Sequence, residues 1–136
     1  MSYALSAGLQ SAIYSALSAN GDLAALVGTA IYDAIPAGTL PALYVTLGPE
    51  AVRDASDKTG DGALHEVTIT VVSETPAFAA AKSVAGIVCD ILLQVNLVLP
   101  RGRVVWLNFE KAKAGRIDGA AGRKIDVTFK VRVEDD

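Results

Sequence analysis

The sequence predicts an α+β fold: two layers, with an antiparallel, roughly four-stranded sheet and two main helices packed on one of its faces. Three observations carry this. Ile125, Val127, Phe129, Val131 and Val133 alternate with Lys124, Asp126, Thr128, Lys130 and Arg132. One face is wholly apolar and the other wholly polar, the pattern of an antiparallel strand with one solvated side. The stretch Leu64 to Ser73 (LHEVTITVVS) has the same period, with His65, Val67, Ile69 and Val71 set against Leu64, Glu66, Thr68 and Thr70. Two further segments instead carry apolar residues at helical spacing: Leu5, Leu9, Ile13 and Leu17, then Phe78, Ala81, Ala85, Val88, Ile91, Leu92 and Val95.

Taken in order, Ser2 is expected to cap a first helix running to about Ala19, with Ala12 and Ala16 beside its apolar stripe. Gly8 inside it costs about 1 kcal/mol relative to alanine. Asn20-Gly21 ends it, and Asp22 caps a short turn, LAALV, that stops at Gly28. AIYDAI, from Ala30, reads as a short strand or an extended connector, and Pro36, Gly38 and Pro41 turn a corner. LYVTL, from Leu43, is a short strand closed by Gly48-Pro49. Residues 50–63 (EAVRDASDKTGDGA) then read as a long polar loop held by the strand that follows. The second main helix is capped by Thr75, with Pro76 in its first position and Lys82, Ser83, Asp90 and Gln94 opposite the apolar face. Asn96 and Pro100 end that region and Arg101-Gly102 makes a turn. In RVVWLNFEKA, from Arg103, strict alternation puts Val105, Leu107 and Phe109 on one face and Val104, Trp106 and Asn108 on the other. Trp106 reads as packed under a loop or as a contact aromatic, with packing favoured. GRIDGAAG, from Gly115, is a turn-rich connector, and Glu134-Asp135-Asp136 an acidic tail.

A chain of 136 residues is most simply one domain with one core. The single cysteine, Cys89, sits among Val88, Ile91 and Leu92 and reads as a buried small hydrophobe, so no disulfide framework is expected. MSYALSAG lacks the basic n-region of a secretion signal, and the longest apolar run is interrupted by Asp90, Gln94 and Asn96. Neither a leader nor a membrane span is expected, and the chain reads as soluble and intracellularly made. The net charge of −3 is divided unevenly: residues 1–100 hold three basic and nine acidic side chains, residues 101–136 nine basic and six acidic. Opposite flanks on one small domain favour head-to-tail assembly of copies. A solvated surface of mixed sign has the same composition.

Catalytic chemistry needs convergent titratable groups. The one histidine, His65, has Glu66 pointing to the opposite strand face, and it reads as structural. One Cys and one His do not make a metal set. Asp57, Thr59, Asp61 and Gly62 mimic the start of a calcium loop, but its closing position holds Thr68 where a bidentate Glu is required. The glycines of GRIDGAAG fit no phosphate-cradling pattern. Trp106 and Phe109 near Arg101, Arg103, Lys111 and Lys113 are a faint nucleic-acid platform, and a solvated strand end accounts for them as well. No cofactor is expected.

Several stretches together resemble the tail-completion, or tail-terminator, family of long-tailed bacteriophages and phage-like gene transfer agents. They are LQSAIYSALSANGDLAALVGTAIYDAIP, LPALYVTLGPEAVRDASDKTGDGALHEVTITVVS, the helix AAAKSVAGIVCDIL and the final strand with its acidic end. AIYDAIP, YVTLG and the junction from Asp57 to His65 are the most specific, while Ala55 departs from the bulkier residue expected there. The resemblance implies a structural virion protein forming a homo-oligomeric ring, commonly a hexamer. Such a ring caps the tail tube, stops its growth and joins it to the head–tail connector, with DNA passing through the lumen without specific binding. In that setting Arg53, Asp54, Asp57, Lys58 and Asp61 are expected to contact neighbouring subunits or the tail tube protein. A neck adaptor or stopper of the connector is the alternative, and a small ligand-binding module or enzyme the remote one.

Overall fold

The computed structural model describes residues 3–58, 60–75, 78–117, 119 and 121–135. Helices α1 (Ser6–Ser18) and α2 (Gly21–Val27) come first, then strands β1 (Ile31–Tyr32), β2 (Leu43–Asp54) and β3 (Gly62–Ser73). Helix α3 (Ala79–Gln94) follows, and strands β4 (Arg103–Arg116) and β5 (Arg123–Glu134) complete the chain. The strands form one sheet in the order β1-β2-β3-β5-β4. All pairs are antiparallel except β1 on β2. The fold is thus α+β, with five strands where the sequence suggested about four. The addition is β1, two residues whose parallel pairing matches Ile31 to Val45 and Tyr32 to Thr46. So short a strand carries too little periodicity to separate it from a connector.

Strand β3 is central, paired along its length with β2 and β5. Its core-facing Val67, Ile69 and Val71 and those of β5, Ile125 to Val133, are buried in one cluster. Leu9, Ile13 and Leu17 of α1 and Val84, Val88 and Leu92 of α3 close that cluster from one side. The helical stripes therefore do what their spacing predicts.

The helix ends differ from expectation. Helix α1 starts at Ser6 behind Leu5, with no side-chain cap; Ser2 lies outside the described residues. Asn20, not Asp22, caps α2, its Oδ1 accepting from the Leu23 amide at 3.0 Å. Asp22 instead sits in the first turn, where its charge favours the helix dipole. Helix α3 begins at Ala79 behind Phe78, again without a side-chain cap. Thr75 has turned away to Ser73, hydroxyl to hydroxyl at 3.0 Å, and Pro76 lies outside the described residues. Val95, expected on the apolar face, is the half-exposed C-cap of α3.

The larger differences lie in the strands. Gly48-Pro49 does not end β2 but forms a bulge, across which the register steps from Leu47 to Glu50. A Cβ on Gly48 would stand 2.9 Å from the Thr68 carbonyl oxygen, so glycine is what lets the bulged backbone lie against β3. Pairing then continues to Asp54 opposite Ala63. The expected 50–63 loop is therefore mostly hairpin, with only residues 55–61 between the strands.

Strand β4 carries two register shifts of its own, at Val105 and at Glu110. Each inserts one residue and inverts the alternation beyond it. Val104, Leu107 and Phe109 consequently pair with the core residues Val133, Val131 and Phe129, while Val105 falls in a bulge. The simple two-face assignment fails there for that reason. Strand β4 also runs on to Arg116, so the glycine-rich connector is shorter than expected. At the turn before β4, Gly102 has φ +71, and a Cβ there would meet the Glu134 carbonyl oxygen at 2.5 Å and Leu5 Cδ1 at 2.7 Å. No other residue type fits without displacing the end of β5.

Candidate functional site

The five residues singled out from sequence lie at or beside the β2–β3 hairpin tip. Asp54 ends β2 and Asp61 precedes β3, with Asp57 and Lys58 between them. Arg53 pairs with Leu64 and so occupies the helix-free face, flanking the tip rather than joining it. The tip is built from local hydrogen bonds. Asp54 Oδ1 accepts from the Ser56 hydroxyl at 2.7 Å and from its amide at 3.3 Å. The Ser56 hydroxyl bond, first among its influences, holds the Asp54 carboxyl below the usual range. Asp57 and Gly60 close a one-rung bridge, and Asp57 Oδ1 also accepts from the Gly60 amide at 3.1 Å. Arg132 of β5 donates to the Ala55 carbonyl at 2.8 Å and lies 3.8 Å from the Asp57 carboxylate. The Asp135 amide donates to Asp61 O at 3.0 Å. Short polar side chains bonding their own backbone are what make this sequence turn.

Beside the tip, the acidic tail folds back on the basic start of β4. Arg101 donates to Asp135 through Nε at 3.0 Å, and Arg103 pairs with Glu134. The carboxylate of Asp135 raises the Arg101 pKa. Two of the cations that make residues 101–136 basic are thus already partnered within the chain; Asp136 lies outside the described residues.

Sequence reasoning missed one cluster. His65 is fully buried, and its Nδ1 lies 3.0 Å from Glu50 Oε2. Glu50 Oε1 accepts from the hydroxyls of Tyr3 and Ser6, each at 2.6 Å. The β2 bulge puts Glu50 on the core face, two rungs from His65, so the histidine's partner is Glu50 and not its neighbour Glu66. Burial raises the Glu50 pKa, but the bonds from Ser6, Tyr3 and His65 together outweigh it and the net shift is downward. A signal was present: a histidine alternating with valines and isoleucine needs a partner on that face, and a strand carried through Gly48-Pro49 supplies one. The trio of Ser6, Glu50 and His65 contains no nucleophile-to-base bond. Ser6 donates to the carboxylate, and His65 Nε2 is sealed from solvent without a partner among the described residues.

Among the described residues no group of three His, Cys, Asp or Glu is placed to hold a metal. Thr68, at the closing position of the calcium-like pattern, instead lies 3.3 Å from Thr128, hydroxyl to hydroxyl, and Thr59 is outside the described residues. Cys89 is half-buried, and burial raises its thiol pKa. No helix among the described residues is long and apolar enough to cross a membrane.

The remaining surface of note is β4, the outer strand of the sheet. Val105, Trp106 and Phe109 are 39, 38 and 46% exposed. Trp106 is therefore not packed beneath a loop, against the favoured expectation. Exposed aromatic residues on an open strand edge are the composition of a protein contact.

No curated protein matches the chain. A chain from the virion of a native gene transfer agent particle is 53% identical, with a TM-score of 0.92 over 98% of this chain and 99% of that one. The model of the family described as tail completion protein gp17 matches residues 11–134. The chain therefore belongs to the tail completion protein gp17 family and is a structural protein of a phage-type tail.

Proposed function

We propose that copies of this chain close into a ring, a hexamer, that caps the tail tube, ends its growth and joins the tail to the head–tail connector. DNA passes through the lumen without sequence-specific contact. The observation that carries the reading is the near-complete likeness to a chain of a gene transfer agent virion, within a family defined by tail completion. The surface supports it physically. A closed ring needs two different, complementary patches on each copy. Strand β4 offers an exposed aromatic edge, and the hairpin tip offers Asp54, Asp57, Lys58 and Asp61, flanked by Arg53. The tip is tied down by its own hydrogen bonds, so docking it carries little ordering cost. The chain acts as one folded domain without turnover, and the Glu50–His65 pair is structural.

The test is to delete the gene in a particle-producing strain and image the particles by electron microscopy. Overlong tails without heads, corrected by supplying the chain in trans, are expected. Tails of normal length accumulating beside filled heads would move the chain to the neck adaptor or stopper position. Replacing Asp57, Lys58 and Asp61 by alanine should reduce head attachment while leaving the isolated protein folded.

A further inference from the structure

The face of the sheet that no helix covers differs in charge from the rest of the molecule. We propose that this face, centred on Lys111, Lys113, Lys124 and Lys130, is the surface that meets the DNA backbone; the identity of the polyanion rests on the ring reading above.

Strands β4 and β5 place these lysines on one side by their register. Lys111 pairs with Thr128, Lys113 with Asp126, and Asn108 with Lys130. With Pro49, Glu66, Thr68 and Thr70 of β2 and β3, Lys111, Lys113 and Lys124 line one shallow concavity. Two of the carboxylates near it are engaged by neighbours. Asp126 accepts from the Thr70 hydroxyl at 2.7 Å and lies 3.9 Å from Lys124, and Glu110 lies 3.5 Å from Lys130. Glu66 lines the concavity as well, and Glu134, farther along β5 on this face, is paired with Arg103. Lys111 and Lys113 are exposed and make no ion pair among the described residues. A chain of net charge −3 thus turns its excess positive charge outward here.

The chemistry favours phosphate over protein. Apart from Pro49, the surface around the lysines is polar, formed by Thr68, Thr70, Thr128, Glu66 and Asp126, without the cluster of large apolar side chains that makes a dry protein contact. Lysine ammonium groups meet phosphates as point charges and do not read base edges. Contact of this kind is independent of base sequence and falls steeply with salt, so a strand of DNA is held loosely enough to move past.

The test uses the purified full-length chain, a mixed-sequence DNA duplex and fluorescence anisotropy over a salt series. The triple variant Lys111→Gln, Lys113→Gln, Lys124→Gln should bind about tenfold or more weakly at low salt, with a log–log salt slope shallower by about 3. Lys82→Gln, on the helix side, should match the wild type. No binding by the wild type at about 50 mM salt, equal affinity and slope in the triple variant, or an equal loss in Lys82→Gln would each overturn the proposal. Particles carrying the triple variant should have tails of normal length with heads attached but deliver less DNA. Detached heads or overlong tails in those particles would make the face a protein contact, and so refute the proposal while leaving the ring reading intact. Failure of the ring reading shows separately, in tails of normal length when the gene is deleted.

Discussion

Strands β4 and β5 are the two arms of one hairpin, paired from Arg103 opposite Glu134 to Arg116 opposite Arg123, yet their apolar side chains are buried to different degrees, with Val104 and Leu107 of β4 only partly buried against the core. In β5, Val127, Phe129, Val131 and Val133 are wholly buried. In β4, Val105, Trp106 and Phe109 stand open to solvent. Strand β5 has β3 on its other side and lies beneath the core face of the helices, while β4 has nothing beyond it in the sheet. The two bulges separate them further, because each turns a stretch of β4 against the regular pleat and keeps a long outer strand from acting as a flat template. Position in the sheet, not hydrophobicity, decides which arm stabilises the fold and which is left to bind.

The hardest way to break this comparison is to truncate one phenylalanine in each arm. Phe129 and Phe109 face each other edge-on, with ring centroids 6.3 Å apart. Phe129→Ala should cost about 3–5 kcal/mol, and Phe109→Ala about 1 kcal/mol, both read from denaturant midpoints. Equal losses would mean that β4 belongs to the core as much as β5 does.

A second test concerns the buried polar pair that sits on the core side with β5. Glu50→Gln removes the charged acceptor of Tyr3, Ser6 and His65 and should cost about 1–3 kcal/mol at neutral pH. The direction of the pH dependence follows from the shift. Because the folded carboxyl pKa is lowered, the stabilisation is complete above the unfolded value of about 4.3. It disappears as pH falls from there through the folded pKa. Wild type and Glu50→Gln should therefore converge in urea melts at acid pH, and a gap that stayed constant would remove the ionic account.

The smallest effect on stability is expected in the open arm. Trp106→Ala should change the midpoint by about 0.5 kcal/mol or less, while weakening self-association measured by sedimentation over a concentration series. A large loss of stability with association unchanged would show that Trp106 supports the fold.

Much of the architecture could be read in advance wherever one face of an element is buried and regular. The stripe of α1, the apolar face of α3, central β3 and alternating β5 all appear where their periods put them, because burial of one face enforces one period. Caps and loops follow the local pattern less closely. Thr75 bonds to Ser73 instead of capping α3, and Asn20 takes the place expected for Asp22. Several short polar side chains can satisfy the same amides, and which one does depends on the approach of the preceding chain. The hairpin tip reads as a charged turn of twice its actual length, since Gly48-Pro49 reads as a stop while β2 in fact continues to Asp54.

The sequence by itself determined the layers, the helical faces and the two strands that hold the core, because alternation and helical spacing are local properties of a chain. Only the tertiary structure decided the bulges at Gly48-Pro49, Val105 and Glu110, the joining of Glu50 to His65 and the gathering of lysines on the uncovered face. Each of those depends on register between strands far apart in the chain. A single inserted residue moves every later side chain to the other face, and nothing in the local pattern records it.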